Sequence, residues 1–246
     1  MKKYLSVFTL VARESIFRLT LLWVLSAIAQ TVSFVYALDY RDVRTTFDFE
    51  RLFTNDGVSI SIIFAITLFV TGLMLAKTGF EFRTKQGYTL RRLRIDEKKV
   101  FLTQSAYNAL MLFMLIMAET VLAFIFLTAG HMQIEEKYVT NQSVYLNFYS
   151  CSFVQNLFCG RDILRIVRNI FCVISLGLSL GAFTHLGRRN KKFIPAIILL
   201  VCFCAVFLLI PGISDWSVDV IILIAAVAMI VWSLLTVLKR GKEYDA

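Results

Sequence analysis

Residues 101–129 read FLTQSAYNALMLFMLIMAETVLAFIFLTA, an almost unbroken apolar stretch in which Glu119 is the only formal charge. A run this long exceeds the about 20 residues that carry a helix across a bilayer, and it lacks the alternation of a membrane strand. Five further apolar runs flank it, at 19–38, 58–76, 169–186, 193–210 and 218–238, the one at 169–186 drawn back to about Arg165. Together they predict an all-α polytopic membrane protein with six transmembrane helices. Composition agrees. The chain is 58% hydrophobic and 17% charged with a mean hydropathy of +0.72, against about 25% charged residues in a soluble domain, which excludes a soluble enzyme. Two prolines and eleven glycines leave no linker or low-complexity tail, so residues 1–246 read as a single domain.

Lysine and arginine resist translocation, so their distribution predicts orientation. Nineteen of the 26 lie before the first run, between the second and third (Lys77, Arg83, Lys85, Arg91, Arg92, Arg94, Lys98, Lys99), at Arg188–Lys192 and at Lys239–Lys242. The other side holds Arg41, Arg44, Arg51, Lys137, Arg161, Arg165 and Arg168 with ten of the seventeen acids. Both termini are therefore expected in the cytoplasm. The net charge of +9 then reflects topology and attraction to anionic lipid, not nucleic-acid binding. Arg13, Glu14 and Arg18 interrupt the first apolar stretch, which predicts a retained segment and not a cleaved signal peptide. Tyr4, Leu5, Phe8, Val11 and Ala12 recur at helical spacing and predict an amphipathic helix on the inner membrane face. Trp216 and Trp232 are placed near the two interfaces of the last span.

GxxxxGK[ST] and HExxH are both missing, so energy from ATP has to enter through a partner chain. The five cysteines lack CxxC spacing and the two histidines are far apart in sequence, which predicts no metal site. The most informative segment is KTGFEFRTKQGYTLRRLRIDEKKVFLTQ, residues 77–104. Tyr88, Leu90 and Leu93 form an apolar edge among Arg91, Arg92 and Arg94, as in a short amphipathic helix, and Asp96 is placed to cap the helix that follows. Such a segment either docks on a partner or is a basic loop held at anionic lipid.

Six spans with both ends inside, an amphipathic start and the stretch GYTLRRLRIDEKKVFLTQSAYNAL, residues 87–110, resemble the transmembrane subunit of type 2 ABC exporters. The resemblance covers the layout of the whole chain, but its motif is confined to this stretch. It implies a permease dimer, formed with a second copy or a paralogue, and two separate cytoplasmic ABC ATPase subunits. The helix between spans two and three would be the coupling helix, with Glu81, Tyr88, Leu90, Arg91, Leu93 and Arg94 against the ATPase. ATP and Mg would belong to that partner and no cofactor to this chain, located in a bacterial cytoplasmic membrane. The family's frequent re-entrant pair between spans five and six has no room here, since only residues 211–217 separate those runs.

Polar residues inside apolar runs are costly and face protein or water. Gln104, Asn108 and Glu119 fall within about 60° of one another at 100° per residue, a stripe readable as a translocation path or dimer seam, or as an internal hydrogen-bond cluster. Arg161, Arg165 and Arg168 share a face at the expected outer entrance of span four. They read as an electropositive outer vestibule, as partners of Glu119, or as side chains snorkelling to phosphate and pairing with Glu135, Glu136 or Asp162. Gly177 and Gly181 form a GxxxG for close packing, assigned to internal neighbours before the dimer seam. Cys151 and Cys159 lie in the expected outer loop, where an oxidising compartment would permit a disulfide. Two other classes suit the composition: a six-helix substrate-binding module of an energy-coupling uptake system, and a non-transporting assembly or immunity protein.

Overall fold

The computed structural model describes residues 2–39, 60–77, 97–132, 141–157, 162–187, 194–209 and 216–242, and all the secondary structure in them is helical. The elements are α1 (Lys2–Asp39), α2 (Ile60–Lys77), α3 (Glu97–His131), α4 (Asn141–Ser150), α5 (Ser152–Leu157), α6 (Ile163–Gly187), α7 (Ile194–Leu209) and α8 (Trp216–Lys242). Five of them, α1, α2, α3, α6 and α8, contain segments of 18 residues or more that are long and apolar enough to cross a membrane. The chain is thus a multi-span membrane protein.

Two of the apolar runs differ from the sequence expectation. The amphipathic start and the first span are one continuous helix, α1, of 38 residues. No proline or glycine interrupts residues 2–39, so nothing breaks the hydrogen-bond ladder. The early turns are also held by packing: the Phe8 ring meets Tyr107 edge-on at 5.4 Å, and Ser15 Oγ shares a 2.6 Å hydrogen bond with Tyr107 Oη. The fifth apolar run forms α7, only 16 residues long. At about 1.5 Å per residue it spans roughly 24 Å, less than the about 30 Å of bilayer hydrocarbon. Pro195 in its first turn and Pro211 beyond its end bracket it.

α6 is the centre of the bundle. It packs most extensively against α8 and α3 and also touches α2 and α7, while α1 lies against α2 and α3. Consequently Ser175, Leu176, Ser179, Ala182 and Thr184 are fully buried, whereas the apolar faces of α1 and α8 are largely exposed, as lipid-facing helices are. Phe101, Ala182, Leu186, Ala196 and Val237 form a small cluster that gathers the starts of α3 and α7 with the ends of α6 and α8. At the same end Thr184 Oγ1 donates to the Ala76 carbonyl of α2 at 3.2 Å.

The connection between α3 and α6, expected as an outer loop, contains α4 and α5. α5 is tucked into the bundle: Phe153 and Val154 are buried, and the Phe153 ring stands edge-on to Phe64 of α2 at 5.9 Å. Six residues are too few for a hydropathy scan to detect, and only tertiary packing stabilises so short a helix.

Candidate functional site

Buried polar groups concentrate in two places. The first joins α1, α2 and α3. Gln104, Asn108 and Glu119 are all buried, on the inward face of α3. Gln30 of α1 donates from Nε2 to Glu119 Oε2 at 3.0 Å and lies 3.4 Å from Ser26 Oγ. Thr67 of α2 approaches Ser26 Oγ at 2.7 Å and the Ile63 carbonyl at 2.8 Å; its one proton serves either acceptor. One turn along, Trp23 Nε1 donates to Thr71 Oγ1 at 3.3 Å. Interhelical hydrogen bonds of this kind contribute about 0.6–2 kcal/mol each in a membrane. With the stacked rings of Phe34 and Phe126, 4.8 Å apart, they make the first three spans one unit.

The stripe is only partly satisfied. Among the described residues, both amide atoms of Asn108 and the Ser105 hydroxyl are buried without a hydrogen-bond partner, as are the hydroxyls of Ser175 on α6 and Ser233 on α8. In hydrocarbon such groups are expensive, and ordered water between the helices would satisfy them.

The second cluster ties α6 to α8 at the opposite end from the Phe101 cluster. Arg165 Nε donates to Asp219 Oδ2 at 3.1 Å, and Arg168 Nη1 binds Asp219 Oδ1. Arg168 is fully buried and gives its Nε and Nη2 protons to Asn169 Oδ1, at 3.1 and 3.0 Å. Asn169 Nδ2 in turn donates to the carbonyls of Asn156 at 2.6 Å and Leu157 at 3.3 Å, which caps the C-terminal end of α5. Arg165 and Arg168 therefore do not stand open to water as a vestibule requires. Asp219 pairs with both, one carboxylate oxygen to each, and the exposed Asp162 lies 3.8 Å from Arg165 as a lesser partner. Nor does either pair with Glu119, whose carboxyl is bonded to Gln30.

Asp219 and Asn169 were not among the residues singled out from sequence. The signal was present: Asp219 is the only charged residue in the apolar run 218–238, and such residues face a partner. Its place in the first turn of α8 adds a favourable interaction with the helix dipole.

Between the two clusters lies a smooth contact. Gly177 and Gly181 of α6 face α3: a Cβ at Gly177 would sit 2.6 Å from the Ala109 Cβ and 2.8 Å from its backbone nitrogen, and one at Gly181 would meet the Ser105 hydroxyl. Glu81, Tyr88, Leu90, Arg91, Leu93, Arg94, Arg161 and Cys159 lie outside the described residues, while Cys151 is buried. Comparison with protein-family profiles, with characterised proteins and with solved structures finds no match. The five long apolar helices and the polar groups buried among them accordingly define the chain as an all-helical, multi-span membrane protein.

Proposed function

We propose that the chain is the transmembrane subunit of an ATP-driven exporter, lining a translocation path with a second permease copy or paralogue and driven by separate cytoplasmic ATPase subunits. The observation that carries this reading is the continuity of α3. It runs unbroken from Glu97, where the basic segment that resembles a coupling helix ends, to His131, and bears Gln104, Asn108 and Glu119 on the way. A push on residues 87–96 is then delivered directly to the buried polar stripe.

The helix pairings suggest what moves. α1, α2 and α3 are bonded through Gln30, Ser26, Thr67 and Trp23, while α6 and α8 are bonded through Asp219. The glycines smooth the contact of α3 with α6, and Thr184 Oγ1 can release the Ala76 carbonyl of α2 because the Leu180 carbonyl of its own helix is an alternative acceptor. ATPase closure would shift the first unit against the second and change which side the polar interior faces. The chain itself makes and breaks no covalent bond; ATP and Mg act in the partner. The Lys and Arg residues at the ends of α2, α3 and α8 that share one end of the bundle support placing that end in the cytoplasm.

The double variant Leu90→Glu, Leu93→Glu tests the coupling. It is expected to insert and fold normally, because it leaves the spans intact, yet to abolish stimulation of the partner's ATP hydrolysis. Stimulation retained at the wild-type level in a correctly inserted variant would remove the coupling role of this segment.

A further inference from the structure

Glu119 is buried in the middle of an apolar helix, and Gln30 Nε2 donates the one hydrogen bond that the described residues give it. Among the described residues nothing cationic is near. α1 carries no Lys or Arg after Arg18, α2 none before Lys77, and α3 none between Lys99 and His131. α4 and α5 contain no charged residue, α8 none between Asp219 and Lys239, and the arginines of α6 are engaged by Asp219. The remaining titratable groups on the apolar parts of these helices are thiols, phenols and His185, whose ring meets Phe101 at the opposite end of α3 from His131. Tyr107 is bonded to Ser15, and Tyr36 lies exposed towards the far end of α1. A bare carboxylate with a single neutral donor is strongly disfavoured in such surroundings.

A second observation points the same way. Gln30 Oε1 is buried with no donor among the described residues. A carboxylic acid beside a primary amide completes a reciprocal pair in which the amide N–H donates to the acid carbonyl and the acid O–H donates to the amide carbonyl. A proton on Glu119 supplies the donor that Gln30 lacks. Turning the amide over leads to the same result, because its oxygen would then stand 3.0 Å from Glu119 Oε2, and two oxygens at that distance need a proton between them.

We infer that Glu119 and Gln30 form a proton-binding site in the membrane interior, with one proton shared between the Glu119 carboxyl and the Gln30 amide. The pair bridges α3 and α1, so water reaches the acid only when these helices part. Proton release to water is thereby linked to separation of α1 from α3, and uptake to their closure. This inference goes beyond the ATP-driven reading and does not rest on it.

Infrared spectroscopy of the full chain in lipid, with carbon-13-labelled glutamate, tests it. The expected result at neutral pH is a protonated-acid carbonyl band that carries the isotope shift and is lost in Glu119→Gln. In Gln30→Leu the band should move to higher frequency, because the acid loses its hydrogen bonds. The isotope shift assigns the band to glutamate in the wild type, so the test stands even where a variant fails to fold. Only carboxylate absorption at neutral pH, whether or not sodium or potassium perturbs it, would overturn the site, the cation-sensitive case assigning it to a metal ion. A protonated band unmoved in folded Gln30→Leu would overturn the shared proton.

Discussion

Replacing Asp219 by alanine is expected to destabilise the folded chain by about 3–5 kcal/mol, the cost of leaving buried cations without their counter-charge. Arg168 is fully buried, and its Nε and one Nη2 proton are held by Asn169, so removing Asp219 leaves the cation buried without its counter-charge. The damage should spread: Arg168 orients Asn169, and Asn169 holds the end of α5 through two backbone carbonyls. The control is Asp162→Ala. That carboxyl is 57% exposed and 3.8 Å from Arg165, and an exposed pair of this sort is worth about 0–1 kcal/mol. Unfolding titrations in mixed micelles would measure both. Equal stability of the two variants would contradict the assignment of Asp219 as the link between α6 and α8.

The second large effect concerns the contact of α3 with α6. Gly177→Ala is expected to cost at least as much as the about 1–3 kcal/mol typical of overpacking, because the added methyl meets the Ala109 Cβ at 2.6 Å and its backbone nitrogen and Cα at 2.8 and 2.9 Å. A backbone buried in a helix cannot step aside, so the two helices have to separate. Gly72→Ala is the informative comparison. Its added methyl would approach the Leu200 side chain at 2.5 and 2.7 Å, and a leucine terminus can change rotamer. Gly177→Ala should therefore be clearly the less stable of the two, and if the proposed sliding is correct it should also impair transport. A wild-type melting profile for Gly177→Ala would show that α3 and α6 are not in close contact.

Much of this architecture is legible in the sequence because hydropathy and helical period are local. The run around Glu119 gives a helix by length alone, and the spacing of Gln104, Asn108 and Glu119 puts them on one face, where all three are buried. What is not legible depends on separations the local pattern does not encode. Arg168 finds Asp219 across 51 residues, and Gln30 finds Glu119 across 89. Gln30 is an uncharged side chain in an apolar run, and nothing in its neighbourhood marks it before α1 and α3 are brought side by side. The continuity of α1 was obscured by the opposite problem. An amphipathic period followed by an apolar one reads as two elements, yet a helix continues through such a change unless a breaker stops it. The short α5 is not legible because its helicity is a product of burial against α3 and α7 and of the Phe153 contact with Phe64 of α2.

The central claim, that this membrane subunit works with a separate ATPase, is tested most directly by mass. The chain would be expressed with the ABC ATPases of its own genome, extracted in mild detergent and weighed as an intact complex. A complex of two ATPase subunits with two membrane subunits, lost on Leu90→Glu while the membrane subunit stays folded, is the predicted result. Recovery of the chain with no ATPase, or with one held through a different scaffold protein, would contradict it.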